Sequence, residues 1–186
     1  GWMMWNWFVS SLAVGATIVC YDGNPFYPDP AALLKMADEL GITIFGTSAK
    51  YIAMLESEAV KPFEISTFPE LKAILTTGSP LSDESFEYVY RDWKKDVQLS
   101  SIAGGTDIVS CFVLGNPILP VYRGDIQCKG LGMDIDCLDD SGKSIIGDKG
   151  ELVCKTAFPS MPVYFWNDLN GEKYHDAYFA VYPNIW

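Results

Sequence analysis

The chain is poor in the residues from which most catalytic and metal sites are built. One histidine, His175, and two arginines, Arg91 and Arg123, occur in 186 residues. A Ser/His/Asp or Cys/His arrangement would have to use that histidine, and no G-x-S-x-G elbow accompanies it. His175 lies between Lys173 and Asp176 and reads as a plain surface residue. The five cysteines (Cys20, Cys111, Cys128, Cys137, Cys154) form no C-x-x-C pair, which argues against a structural zinc site. Scattered thiols in odd number fit a reducing cytosol, so a cytoplasmic location is expected. Positive charge is scarce as well. Thirteen Lys plus Arg against 24 Asp plus Glu leave −11 at pH 7. Nucleic acid and anionic membrane surfaces attract basic patches, so neither is an expected partner.

Charge of either sign is missing from Gly1 to Tyr21. That run is long enough for a membrane span by length alone. Asn6, Ser10, Ser11, Gly15 and Thr17 interrupt it, and its composition shifts from tryptophan and methionine to β-branched Thr17, Ile18 and Val19. The stretch therefore predicts a buried helix near Trp2 to Ala13 and a buried strand near Ala16 to Tyr21, with no membrane span. A signal peptide is disfavoured because no positive region precedes the apolar part.

What is present is core material and regular punctuation. Hydrophobic residues make up 49% and aromatics 14%, and mean hydropathy is +0.10. This suits a well-buried body of one domain, or one domain and part of another. Asp29-Pro30 opens a helix that Gly41 closes, with Leu33, Met36, Ala37 and Leu40 on one face. A strand over Ile42 to Phe45 follows, then a helix from Ser48 carrying Tyr51, Met54 and Leu55, then a polar connection from Lys61 to Pro69. Strand Ala73 to Leu75 leads into Thr76-Thr77-Gly78-Ser79-Pro80-Leu81. Ser82 caps a helix with Phe86, Val89, Tyr90 and Trp93 on one face. Strand Val97 to Leu99 leads into Ser100-Ser101-Ile102-Ala103-Gly104-Gly105-Thr106-Asp107. Short apolar strands alternating with amphipathic helices predict a parallel sheet with right-handed crossovers.

In such a sheet, ligands bind beyond the carboxyl ends of the strands. Glycine there lets backbone approach a ligand closely, while Thr and Asp supply hydrogen bonds or a metal ligand. The plain alternative is a pair of ordinary strand-to-helix turns, since Gly, Ser, Pro and Asp favour turns.

Past Thr106 the period changes. Met133, Ile135 and Cys137 alternate with Asp134 and Asp136, Asp139-Asp140-Ser141-Gly142 is a hairpin signal, and Gly150 to Cys154 begins another strand. The fold class expected is α/β: a parallel sheet with flanking helices over 1–116, then an antiparallel, barrel-like β subdomain over 117–186. The aromatic-rich tail around Phe165-Trp166-Asn167-Asp168 and Tyr178-Phe179 stops at Trp186 with no closing element expected. Both ends read as cut.

The order of these parts resembles the adenylate-forming acyl-CoA synthetases, in detail their acetoacetate–CoA ligase branch. The pieces that carry the resemblance are Gly1-Trp2-Met3-Met4-Trp5-Asn6-Trp7, Thr77-Gly78-Ser79-Pro80-Leu81, Gly104-Gly105-Thr106-Asp107, Gly150-Glu151-Leu152 and Phe165-Trp166-Asn167-Asp168. The resemblance implies ATP, Mg²⁺ and coenzyme A as cofactor and co-substrates, and acetoacetate as the acid. It puts Gly78, Ser79 and Pro80 along the adenine, Gly105 and Thr106 at the nucleotide, and Asp107 at the metal, with Thr106 and Asp107 carrying the chemistry. Ser79 stands where the superfamily often has Glu, and Asp107 is one methylene shorter than the usual Glu. Met3, Met4, Thr77 and Gly104 fall on the acyl-pocket wall, Gly104 where acetate enzymes carry tryptophan. By the same resemblance, a phosphate loop precedes Gly1. A ribose-binding Gly-Asp motif and a domain with the adenylation lysine follow Trp186. The remainder of a parent enzyme is then needed for activity. Readings kept open are another short-chain acyl-CoA synthetase (acetate or propionate) and a non-catalytic α/β nucleotide-binding module.

Overall fold

The computed structural model describes residues 8–186. Gly1 to Trp7, including Met3, Met4 and the first part of the expected helix, lie outside the described residues. The chain forms two compact units, one of Phe8–Ala103 with Leu114–Cys128, the other including Gly104–Val113 and Lys129–Trp186. A single cut near residue 116 does not reproduce this division. The chain leaves the first unit at Ala103, returns at Leu114 and leaves again after Cys128.

The first unit is the expected α/β layer. Strands β1 (Ile44–Ser48), β2 (Ala73–Thr77) and β3 (Gln98–Ser101) form a parallel sheet in that order. Ile44 pairs with Ala73, and Ala73 with Gln98. The crossovers are helical: α2 (Ala49–Ser57) and a short α3 (Pro62–Ile65) join β1 to β2, and α4 (Asp83–Tyr88) joins β2 to β3. Before them runs α1 (Ala32–Glu39). Ser48 and Ser82 each cap the helix that follows, accepting from the Tyr51 N–H at 3.1 Å and the Ser85 N–H at 3.3 Å. Gly41, at φ 62°, ends α1: its N–H bonds Asp38 O at 3.1 Å and the Ile42 N–H bonds Ala37 O at 2.9 Å. This paired closure needs the left-handed conformation that glycine adopts without strain. After Tyr88 the helix widens into a π turn, Val89–Trp93, closed by the Lys94 N–H on Val89 O at 3.0 Å.

Ile52, Leu55, Ile74, Val89 and Leu99 are fully buried together with Leu34 and Phe86. Each such side chain contributes about 1.5–3 kcal/mol through the area removed from water. In α1 the buried residues are Leu34 and Ala37, whereas Leu40 is exposed. The face expected from Leu33, Met36, Ala37 and Leu40 is therefore rotated by about one position. The buried strand expected over Ala16 to Tyr21 is not formed. Those residues are unassigned and half-buried or exposed, after a helical turn over residues 8–14 that ends at Gly15. An apolar β-branched run becomes a strand only when a neighbouring strand takes its backbone hydrogen bonds.

The second unit is built on β strands. A three-stranded sheet has the order β4 (Ala103–Gly105), β5 (Ser110–Leu114), β6 (Cys128–Lys129). The antiparallel hairpin β7 (Ile135–Leu138) and β8 (Glu151–Cys154) pairs Ile135 with Cys154. The hairpin signal at Asp139 is realised. Its Oδ1 accepts from the Ser141 and Lys143 N–H groups, each at 2.9 Å, and the Gly142 N–H bonds Asp139 O at 2.8 Å. The tail has a closing element after all, α5 (Glu172–Tyr178). Trp186 is tied to β8 by reciprocal backbone bonds with Cys154, at 2.7 and 3.0 Å.

Candidate active-site loops

The first loop grows out of β2. Thr76 and Thr77 are strand residues, buried, where the sequence placed them at the start of the loop. Thr76 O accepts the Ile102 N–H at 2.8 Å, which carries the ladder one residue further than the apolar run implies. Thr76 Oγ1 is buried with no partner among the described residues. The loop proper is Gly78-Ser79-Pro80, all three exposed. Gly78 has φ 88°, and a side chain there would meet open space, so its glycine answers to conformation and not to room. Buried Leu81 and the Ser82 cap pin the far end of the loop. Arg123 braces the start of α4, 3.4 Å from Asp83 and in contact with Glu87. Thr77, Gly78, Ser79 and Pro80, which the sequence puts at the adenine and the acyl pocket, thus run along one strand end.

The second loop differs from the expectation. Gly104 and Gly105 lie in β4, and the turn into β5 runs over residues 106–109, to which the motif contributes Thr106 and Asp107. The reason is visible at Gly104. A Cβ there would stand 2.2 Å from Ser110 O and 2.7 Å from Cys111 Cα, both backbone atoms of β5. Glycine permits a strand-to-strand approach that no other residue allows. Gly105 has no such neighbour, its nearest atoms being Asp107 N at 3.9 Å and Ile108 Cγ1 at 4.0 Å. Buried Ile108 anchors the turn from below, while Thr106 and Asp107 are exposed.

Asp107 has a partner that the sequence did not reveal. The Tyr178 hydroxyl on α5 donates to its Oδ2. The Tyr178 ring stacks on Trp186, with centroids 3.6 Å apart and planes 15° apart. Burial, and then the hydrogen bond to the Asp107 carboxylate, push the Tyr178 phenol above its ordinary range. The two residues are 71 positions apart, so only the aromatic density of the tail hinted at a cluster.

Among the described residues, no three His, Cys, Asp or Glu side chains are grouped so as to hold a metal. A single accessible carboxylate nevertheless suits Mg²⁺. That ion keeps several waters and is commonly held by one or two carboxylates plus substrate phosphates. Asp107 offers such a carboxylate. His175 is exposed on α5 beside Asp176, 3.5 Å away, as a surface residue should be. Burial raises the Cys111 thiol to about 11, which removes it as a nucleophile near neutrality. No helix among the described residues is long and apolar enough to cross a membrane.

The chain is 55% identical over its whole length to acetoacetyl-coenzyme A synthetase of Rhizobium meliloti (strain 1021), covering 29% of that protein. It is 52% identical to acetoacetyl-CoA synthetase of Gallus gallus, again over the whole chain and 28% of the relative. The solved acetoacetyl-CoA synthetase from Streptomyces lividans superposes with a TM-score of 0.92 at 42% identity, over the whole chain and 29% of that structure. The chain thus spans less than a third of the length of the relatives it matches. The family described as AMP-binding enzyme matches residues 2–165, and the chain belongs to that family.

Proposed function

We propose that this chain is the central part of the adenylation domain of an ATP-dependent, AMP-forming acetoacetate–CoA ligase. The observation that carries the reading is the correspondence of the whole chain to 29% of the Streptomyces lividans enzyme, at TM-score 0.92 and 42% identity. In the proposed reaction, a carboxylate oxygen of acetoacetate attacks the α-phosphorus of ATP and pyrophosphate leaves. The thiol sulfur of coenzyme A then attacks the acyl carbon, loses its proton and displaces AMP. Adenylation turns a poor leaving oxide into a phosphate ester, and most of the work in such a step is positioning and charge neutralisation.

In this reading the exposed backbone of Gly78-Ser79-Pro80 lies along the adenine, and the left-handed turn at Gly78 is what lets it do so. Gly105 lets the chain pass close to the nucleotide, and the Thr106 hydroxyl donates to a phosphate oxygen. Asp107 holds Mg²⁺, which shares the charge of the phosphates when bound. Thr77, Gly104, Met3 and Met4 belong to the acyl pocket. For Gly104 the close approach of β5 is already a sufficient reason for glycine. The scarcity of arginine fits a chain whose triphosphate-neutralising groups lie in other parts of the enzyme. A reducing cytoplasm suits five cysteines with no C-x-x-C pair among them.

The test is acetoacetate-dependent ATP–pyrophosphate exchange by the full-length enzyme, with acetate and propionate as competitors. Acetoacetate is expected to give the highest kcat/KM. Asp107→Asn should lower the exchange rate about a hundredfold, the scale of a lost electrostatic stabiliser. Preference for acetate or propionate would overturn the assignment of the acid, and absence of exchange with any acid would overturn the enzyme.

A further inference from the structure

We propose that Tyr178 is a positioning residue: its phenol O–H holds Oδ2 of Asp107 and leaves Oδ1 to the divalent cation. The inference rests on the reading of Asp107 as the metal ligand.

Asp107 sits exposed on a turn between two short strands. A carboxylate in that setting samples several rotamers, and a metal that binds it must offset the loss of that freedom. The Tyr178 hydroxyl removes it beforehand. Tyr178 is itself restrained. Its ring stacks on Trp186 and meets Tyr174 and Phe165 edge-on, with centroids 5.4 and 5.5 Å away. The helix that carries it is held at its start by Asp168, which accepts from the Lys173 and Tyr174 N–H groups at 3.2 and 2.9 Å. Trp186 is fixed in turn by its backbone bonds to Cys154 and by the edge of Phe158, 5.5 Å away. A line of restraint therefore runs from β8 through Trp186 and Tyr178 to one carboxylate oxygen. Packing alone does not call for the hydroxyl, because phenylalanine would stack equally well. Among the described residues, the hydroxyl's partner is Asp107. Groups that orient a ligating carboxylate in this way change metal affinity about 10–100-fold when removed.

The experiment uses the full-length enzyme and the variant Tyr178→Phe, with Mn²⁺ affinity measured by calorimetry in the presence of a non-hydrolysable ATP analogue. Binding is expected to weaken by about tenfold, the low end of that range because Asp107 is exposed. The Mg²⁺ concentration for half-maximal pyrophosphate exchange should rise by a like factor. At saturating Mg²⁺, kcat should return to within about twofold of wild type with KM for acetoacetate unchanged. A merely structural tyrosine would lower kcat at every metal concentration and leave Mn²⁺ affinity in place; that result overturns the inference. Asp107→Asn separates the two levels. If it weakens Mn²⁺ binding while Tyr178→Phe does not, the positioning role falls and the metal ligand stands. If neither variant changes Mn²⁺ binding, Asp107 is not the ligand and both fall. Should Tyr178→Phe not fold, Trp186→Phe loosens the stack while keeping the phenol. It must weaken Mn²⁺ binding in the same direction, and an unchanged affinity would overturn the proposal.

Discussion

Replacing Gly104 by alanine adds one carbon atom at a place where the fold has no room for it. The new Cβ would stand 2.2 Å from Ser110 O and 2.7 Å from Cys111 Cα. Comfortable carbon–oxygen and carbon–carbon separations are about 3.3 and 3.5 Å or more. One of the two strands must therefore retreat by roughly 1 Å, and because both obstructing atoms are backbone, no rotamer change relieves the contact. Overpacking of this kind costs about 1–3 kcal/mol, and each pairing bond lost from a displaced strand adds about 1 kcal/mol. A total near 3 kcal/mol is expected, which for a cooperative unit of roughly 150–250 residues corresponds to a fall of about 6–12 °C in its Tm. Gly105→Ala is the matched control. Its Cβ would make ordinary contacts at 3.9 and 4.0 Å, so its Tm should stay within about 2 °C of wild type. The assay is thermal unfolding of the full-length enzyme, followed by kcat/KM for acetoacetate and acetate. If Gly104→Ala melts like wild type, the strand approach does not constrain that position. A selective loss of acetoacetate at unchanged Tm would show that the glycine serves the pocket instead. Gly104→Trp sharpens the contrast: a wall residue shifts preference toward acetate, whereas a backbone clash lowers both acids and Tm together.

Three further outcomes follow from local geometry. Gly78→Ala should destabilise by about 1–2 kcal/mol, the cost of a side chain in the left-handed region, although no atom lies within 4 Å of the new Cβ; urea unfolding measures it, and an unchanged midpoint would refute it. Ser48→Ala should cost about 1 kcal/mol through loss of the α2 cap, read in the same experiment. Asp136 is held down to about 2 from 3.8 by hydrogen bonds from Lys155, Ser144 and the Cys137 N–H. A depressed carboxylate adds stability above its unfolded pKa and loses it as the pH falls through the folded one. The Tm difference between wild type and Asp136→Asn should therefore be full above pH 4 and vanish toward pH 2. A difference independent of pH would refute the assignment.

Much of the α/β unit was legible in the residues. Ser48 and Ser82 as caps, Gly41 as a helix end and the hairpin at Asp139 are local signals, because the hydrogen bonds that define them join residues within five positions. The parallel pairing of β1, β2 and β3 followed from the alternation of short apolar strands with amphipathic helices. The first site loop, Gly78-Ser79-Pro80, stands at a strand's carboxyl end, where its composition placed it. Other features depended on partners distant in the chain. The apolar run from Ala16 to Tyr21 does not become a strand, because period and propensity do not specify which neighbour will accept its backbone bonds. Gly104 reads in sequence as loop glycine, yet it lies in a strand, since the approach of Ser110 and Cys111 is a fact of tertiary packing. The pairing of Asp107 with Tyr178, across 71 residues, is of the same kind. Residue types and spacing determined the caps, the turns and the alternation of strand with helix, because near neighbours fix them, and only the folded backbone decided which distant residues meet.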